Sequence, residues 1–168
     1  MKPKTVGRVL GEQKSPSNAH QLCHGMPVGL PIMTADGALP VEYLSAGDRI
    51  VTRNGGMTEL LAIHATTHAT RGVKFAAGCF GATGPESDLV LPSDQPVLVR
   101  DWRAQALFGQ SQAMTTAGML VDEEFITDIG PRRMVLFRLS FDRARVVYSS
   151  GIELGTEPEV SMPNRSVA

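Results

Sequence analysis

The chain has 168 residues, room for one domain with a real core, and its 42% hydrophobic and 20% charged residues are globular values. A net charge of -1 with both signs interspersed argues against a basic nucleic-acid surface or an acidic tail. Two cysteines, Cys23 and Cys79, make no disulfide framework and read as reduced thiols, which points to the cytoplasm.

Residues 1–21 are polar and aperiodic, and read as a flexible arm. The basic start, Met1-Lys2-Pro3-Lys4, has no apolar run behind it, whereas a secretory signal needs about 7–15 apolar residues. No stretch approaches the ~18 apolar residues of a membrane span, although export without an N-terminal signal stays open. The globular domain is expected over 22–157, and 158–168 reads as a second flexible segment.

Strand signals dominate between these ends. Leu30 to Thr34 is a short apolar run, and Asp36-Gly37 suits a type I′ hairpin because both central residues tolerate positive φ. Val41-Glu42-Tyr43-Leu44 reads as one helical turn closed by Gly47. Arg49 to Thr52 is a β-branched strand, Asn54-Gly55 a second hairpin turn, and Met57 to Ile63 the returning strand. Leu89-Val90-Leu91 and Val97-Leu98-Val99 flank the turn-rich Pro92 to Pro96. A helix is expected near Ala113 to Val121, weakened by Gly118. Val135 to Leu139 and Arg145 to Tyr148 read as a third hairpin around Phe141-Asp142-Arg143. Seventeen Gly and eleven Pro suit such a set of short strands and tight turns, so the fold class is mainly β.

One series is specific. Ile32-Met33-Thr34-Ala35-Asp36-Gly37, then Pro40-Val41-Glu42-Tyr43-Leu44, then Gly47-Asp48-Arg49-Ile50-Val51, resembles the opening of bacterial Hint domains, the Hedgehog/intein self-processing family. Leu91 to Val99 resembles the strand pair that normally carries that family's His. Phe137 to Arg143 with Val146 to Gly151 resembles the closing hairpin of the bacterial subgroup. The resemblance covers roughly Gly25 to Glu157. It implies a Hint fold, a β disc with pseudo-two-fold symmetry and few short helices.

The family cuts or splices its own chain. The first residue of the domain, Cys or Ser, attacks the preceding carbonyl, and a His assists the scissile amide. Counting back from Gly29, the resemblance puts the first position at Gly25, which has no nucleophile, and the His position at Pro96. Where the subgroup often carries His in its closing hairpin stand Arg138 and Ala144. The expectation is therefore a Hint-like module without self-cleavage, acting through binding or as a structural part. The alternative is autoproteolysis with Cys23 as a displaced nucleophile. An unrelated enzyme or ligand-binder on the same scaffold is a third possibility that the sequence leaves open.

Metal and cofactor signals are weak, and neither is expected. His20, His24, His64 and His68 read as scattered, solvent-accessible side chains. His64 and His68 would lie ~13 Å apart on a strand, too far to share an ion. Asp88 and Asp94 form no recognisable carboxylate pair, Asp122-Glu123-Glu124 reads as a solvated turn or helix start, and Asp36 and Asp48 read as turn and cap residues. Trp102 is expected to be partly buried at one edge of the core. Ser149-Ser150-Gly151 lacks the setting of a nucleophile elbow, and Gly78 to Gly84 lacks the Lys of a phosphate loop. The expected partner is an unidentified protein, with no nucleic acid and no membrane, and the chain is expected to be a monomer.

Overall fold

A computed structural model describes residues 23–157. Twelve strands alternate with one short α-helix. They are β1 (Met26–Pro27), β2 (Pro31–Thr34), β3 (Gly37–Pro40), β4 (Arg49–Thr52), β5 (Gly56–Glu59), β6 (Ala62–Phe75), β7 (Leu89–Pro92), β8 (Pro96–Val99), β9 (Ala113–Thr116), β10 (Ile126–Ser140), β11 (Val146–Ser149) and β12 (Ile152–Gly155). The helix, α1, is Trp102–Phe108. One sheet has the order β1-β10-β6-β7. The other runs β3-β2-β4-β11-β12-β8-β9, with β5 on β4. Among the described residues no helix is long and apolar enough to cross a membrane.

Two long strands organise the molecule. β6 and β10 pair antiparallel from Ile126↔Phe75 to Ser140↔Ala62. Each follows a short hairpin, β4–β5 before β6 and β8–β9 before β10. The same unit thus occurs twice around the β6–β10 seam. The core collects Phe75, Ile32, Ile50, Leu60, Leu91, Ile126, Leu136 and Leu154, all at most 1% exposed.

The motif series has a physical role at each point. Val41 is fully buried at the start of a 3-10 turn. The Glu42 carboxylate accepts from the Gly29 N–H at 2.7 Å and fastens the leading loop. Asp48 accepts from the Ser45 N–H at 2.8 Å, closing the turn before β4. On the far side, Glu153 is buried between two guanidinium groups. Arg53 reaches it at 2.8 Å and Arg100 at 2.6 Å, tying the turn after β4 and the end of β8 to β12.

Four sequence expectations change. The two hairpins do not use Asp36-Gly37 and Asn54-Gly55 as central positive-φ pairs. Thr34 pairs with Gly37 and Thr52 with Gly56, and the positive φ falls on Gly37 and Gly56, one residue later than a type I′ turn requires. The Thr34 hydroxyl, not Asp36, accepts from the turn, taking the Asp36 N–H at 3.1 Å.

The segment expected as a helix at Ala113 to Val121 is instead β9 followed by a 3-10 turn over Ala117–Leu120. Pairing with β8 overrides the helical preference of Ala and Met, and burial alternates with period two along β9. The α-helix lies earlier. Asp101 caps it by accepting the Arg103 N–H, and Gly109 ends it in the left-handed region.

The third hairpin does not form either. β10 pairs with β6 and β1, whereas β11 pairs with β12 and β4, so residues 141–145 cross from one sheet to the other. Pairing of β10 with β6 and of β11 with β12 decides this, not the turn. Finally, Trp102 is 70% exposed at the first position of α1, with the Arg103 guanidinium 5.0 Å from its ring. Arg103 takes the buried place between that ring, Phe80 and the Cys79 carbonyl.

The acidic turn is a turn, as expected. Burial pushes the Asp122 carboxyl up, but backbone N–H groups of Ile126, Glu124 and Phe125 and the Arg103 guanidinium outweigh it and hold it below the usual range. A lowered folded-state pKa contributes stability that is present above the unfolded value of 3.8 and lost as pH falls through the folded value. Thermal melts of Asp122→Asn should therefore lie below those of the parent at neutral pH. The gap should close as pH falls from about 4, and a gap independent of pH would refute this linkage.

Candidate functional site

The segment leading into β1 crosses one face of the β6–β10 sheet and ends against the loop between β7 and β8. Its first described residue, Cys23, is half-buried. The Cys23 N–H donates to Asp94 Oδ2 at 3.0 Å, and the thiol lies 3.7 Å from His68 Nδ1. The other ring nitrogen of His68, Nε2, is 2.8 Å from Thr66 Oγ1, which fixes the imidazole. Three separate elements thus meet at a thiol, an imidazole and a carboxylate.

Two residues on, Gly25 has φ +151°. A Cβ built there would stand 2.9 Å from Leu136 Cβ and 3.2 Å from the Phe137 carbonyl oxygen. Both β10 atoms are fixed by pairing, since Met26 is the registered partner of Phe137. The position therefore accepts glycine and no side chain without displacing the strand.

The Gly25 N–H donates to Gln95 Oε1 at 3.0 Å. Gln95 is fully buried, and its Nε2 donates to the Gly155 carbonyl at 2.8 Å and to the Pro96 carbonyl at 3.0 Å. Two carbonyl acceptors on one end of the amide leave its oxygen to face Gly25. Pro96 opens β8 and packs on Gly155, where an added Cβ would come within 2.8 Å of the Pro96 Cβ. Gln95 thus joins the start of the chain's fold to the end of β12 through one side chain.

The sequence singled out Cys23, Gly25 and Pro96, and all three lie around this one junction. It missed Gln95 and His68. The sequence reads His68 as solvent-accessible, on a strand or loop, whereas it lies on β6, half-buried against Cys23. His24 is also buried, at 6% exposure, and not accessible as expected. His64 is exposed on the same strand. Arg138 lies on β10 and Ala144 in the crossover to β11.

Asp88 and Asp94 serve different partners. Asp88 accepts from the Ala77 N–H and pairs with Lys74 at 3.3 Å, while Asp94 holds Cys23. Cys79 is buried, whereas Cys23 is half-buried. Burial pushes its thiol up to about 11, so it stays protonated at neutral pH. The Gly78 to Gly84 segment is a loop closed by its own backbone bonds, including Gly78 N–H to the Pro85 carbonyl at 2.8 Å. Among the described residues no group of three or more His, Cys, Asp or Glu stands close enough to hold a metal ion.

A family model described as Hint domain matches residues 25–157. Solved structures similar to this chain include a gp41-1 intein, at 12% identity and TM-score 0.51, covering 79% of this chain and 98% of that one. Another is a bacterial intein-like domain from Clostridium thermocellum, at 16% identity and TM-score 0.52, covering 79% and 97%. No curated protein matches the chain. At such identity the structural likeness concerns the fold.

Proposed function

Since the chain belongs to the Hint domain family, we propose that it is a Hint domain that does not cut itself and that works as a binding or structural module. One observation carries this reading. The N–H of each peptide bond at which cutting is conceivable is held by a side-chain oxygen that accepts from it. Gly25 N–H faces the amide oxygen of Gln95, and Cys23 N–H faces the carboxylate of Asp94. Breaking an amide requires a proton on the leaving nitrogen. An acceptor on that N–H favours the planar amide instead. At Gly25 the attacking atom is missing as well, and the backbone there has no space for a side chain.

A second reading has its own observation, the 3.7 Å contact between the Cys23 thiol and His68. In it, His68 Nδ1 takes the thiol proton and the sulfur attacks the carbonyl of the preceding residue. A C–S bond forms, the C–N bond breaks, and the proton passes to the nitrogen. Water then hydrolyses the thioester and frees a chain beginning at Cys23.

Intact mass of the full chain, incubated at neutral pH with and without dithiothreitol or hydroxylamine, separates the two. The first reading expects the full-length mass under every condition. A product beginning at Cys23, released by thiol or hydroxylamine and absent from Cys23→Ala, would overturn it and establish the second.

A further inference from the structure

A cavity of about 220 Å³ opens at one end of the β8–β12 pair. Phe80, Val99 and Ile152 give it an apolar lining, and Thr83, Gly151 and Arg100 stand exposed at its rim. It is remote from the junction at Cys23. The described chain begins where Cys23 meets Asp94, ahead of β8, and it ends just beyond Gly155, which packs on Pro96. The cavity lies at the other end of both strands, beside Val99 and Ile152, ~10 Å along their length.

The rim is built from two turns in backbone contact. A Cβ added to Gly151 would overlap the Thr83 carbonyl, and one added to Gly84 would overlap the Ser150 carbonyl. The β11–β12 turn and the loop over Gly81–Thr83 therefore hold each other, and the opening keeps its shape without a ligand.

The charges around the opening are unevenly spent. Both oxygens of the buried Glu153 are taken, one by Arg53 Nη1 at 2.8 Å and the other by Arg100 Nε at 2.6 Å. Asp101 also lines the cavity, and both its oxygens accept from Arg103. Two guanidinium groups thus share the single carboxylate of Glu153. Arg53 turns its second terminal nitrogen to Gln112 at 3.2 Å. Among the described residues no acceptor meets the terminal nitrogens of Arg100, whose side chain is held at Nε and remains 47% exposed. The cavity therefore pairs an apolar lining with an anchored guanidinium that has two N–H-bearing nitrogens to offer.

We infer that this cavity binds a small carboxylic acid with a compact apolar body. The carboxylate takes both terminal nitrogens of Arg100, the fork-to-fork pairing that guanidinium and carboxylate favour. The apolar body lies against Phe80, Val99 and Ile152. A volume near 220 Å³ is below the ~300–1,000 Å³ of sites for drug-sized ligands, so the acid is no larger than a single aromatic ring with a short arm. The inference gives the binding module proposed above a ligand class. It does not depend on whether the chain cuts itself, because cutting is read by mass and binding by the measurement below.

A titration of the full chain, 15N-labelled, with phenylacetate tests it by amide resonances. Those of Thr83 and Gly151 should shift saturably. Arg100→Gln, at an exposed side chain, should weaken the binding roughly tenfold or more. Thr83→Trp, which fills the cavity from its rim, should abolish the shift. If neither variant folds by circular dichroism, two other ligands decide on the wild type. Phenylacetamide keeps the shape without the charge and acetate the charge without the body, and each should bind at least roughly tenfold more weakly. The inference is overturned if no saturable shift appears by about 10 mM phenylacetate, well above the Kd of even a weak small-ligand site. It is equally overturned if Arg100→Gln binds as the wild type does, or if phenylacetamide or acetate matches phenylacetate.

Discussion

Gln95→Leu is expected to lower the unfolding free energy by about 2–4 kcal/mol. Leucine is close to glutamine in size, so the pocket stays filled. What is lost is the bonding. Gly25 N–H loses its acceptor, and the Gly155 and Pro96 carbonyls lose a donor, all inside a fully buried environment. Each buried polar group left unsatisfied costs about 1–3 kcal/mol, and the groups share one site, so the costs do not simply add. Urea denaturation of Gln95→Leu and Gln95→Glu measures this. Glutamate keeps an acceptor for Gly25 but loses the donor to both carbonyls, so it should also be destabilised. A change under about 0.5 kcal/mol for leucine would mean that Gln95 does not hold the junction.

Restoring the residue types of the family's chemistry is expected to fail. Gly25→Cys with Pro96→His supplies a thiol and an imidazole at the positions where the resemblance puts them. The cysteine Cβ, however, would need the space of Leu136 Cβ and the Phe137 carbonyl, at a φ that side chains rarely adopt. The double variant should melt well below the parent, by roughly 2–4 kcal/mol of stability, and should show no cleavage before residue 25 by intact mass. Cleavage by this variant would show that β10 yields to the side chain. The obstacle would then be the missing atoms alone, not the backbone around them.

The parts of the fold legible in the sequence are those fixed locally. Asp48 acts three residues from Ser45 and Glu42 thirteen from Gly29, both inside the motif series and its leading loop, so the series announced the opening strands and the 3-10 turn. The helix over Trp102–Phe108 was also legible. Asp101 before it and Gly109 after it are its two end signals. Alternation at Ala113 to Thr116 was there to be read as a strand.

The junction itself was legible only in part. Gly25 and Pro96 stand out in the sequence as departures from the pattern that the resemblance implies. Gln95 and His68 act across separations of 70 and 45 residues, and no local rule connects them to the leading segment. Gln95 looked like an ordinary turn residue in Ser93-Asp94-Gln95-Pro96. Its importance comes from being buried where the two ends of the fold meet. Arg103 is similar. Its place between Phe80 and Cys79 depends on a loop that the sequence leaves as a run of glycines.

The β6–β10 seam also sets the order in which the chain can assemble. Its pairs join residues from Phe75 with Ile126 to Ala62 with Ser140, so the loop closed by the seam spans most of the middle of the chain. The hairpins β2–β3 and β4–β5 close over a few residues and involve little lost chain entropy. They can form early, whereas the seam must wait until β7, β8 and β9 have brought β10 back. Long-range strand pairing of this kind makes folding slow, and until the seam zips, the stretch of β6 from Ala62 to Thr70, which has no Lys, Arg, Asp or Glu, stands exposed to any other extended chain. The time spent unzipped, more than the depth of the final minimum, then governs how much of the protein is lost to aggregation during synthesis.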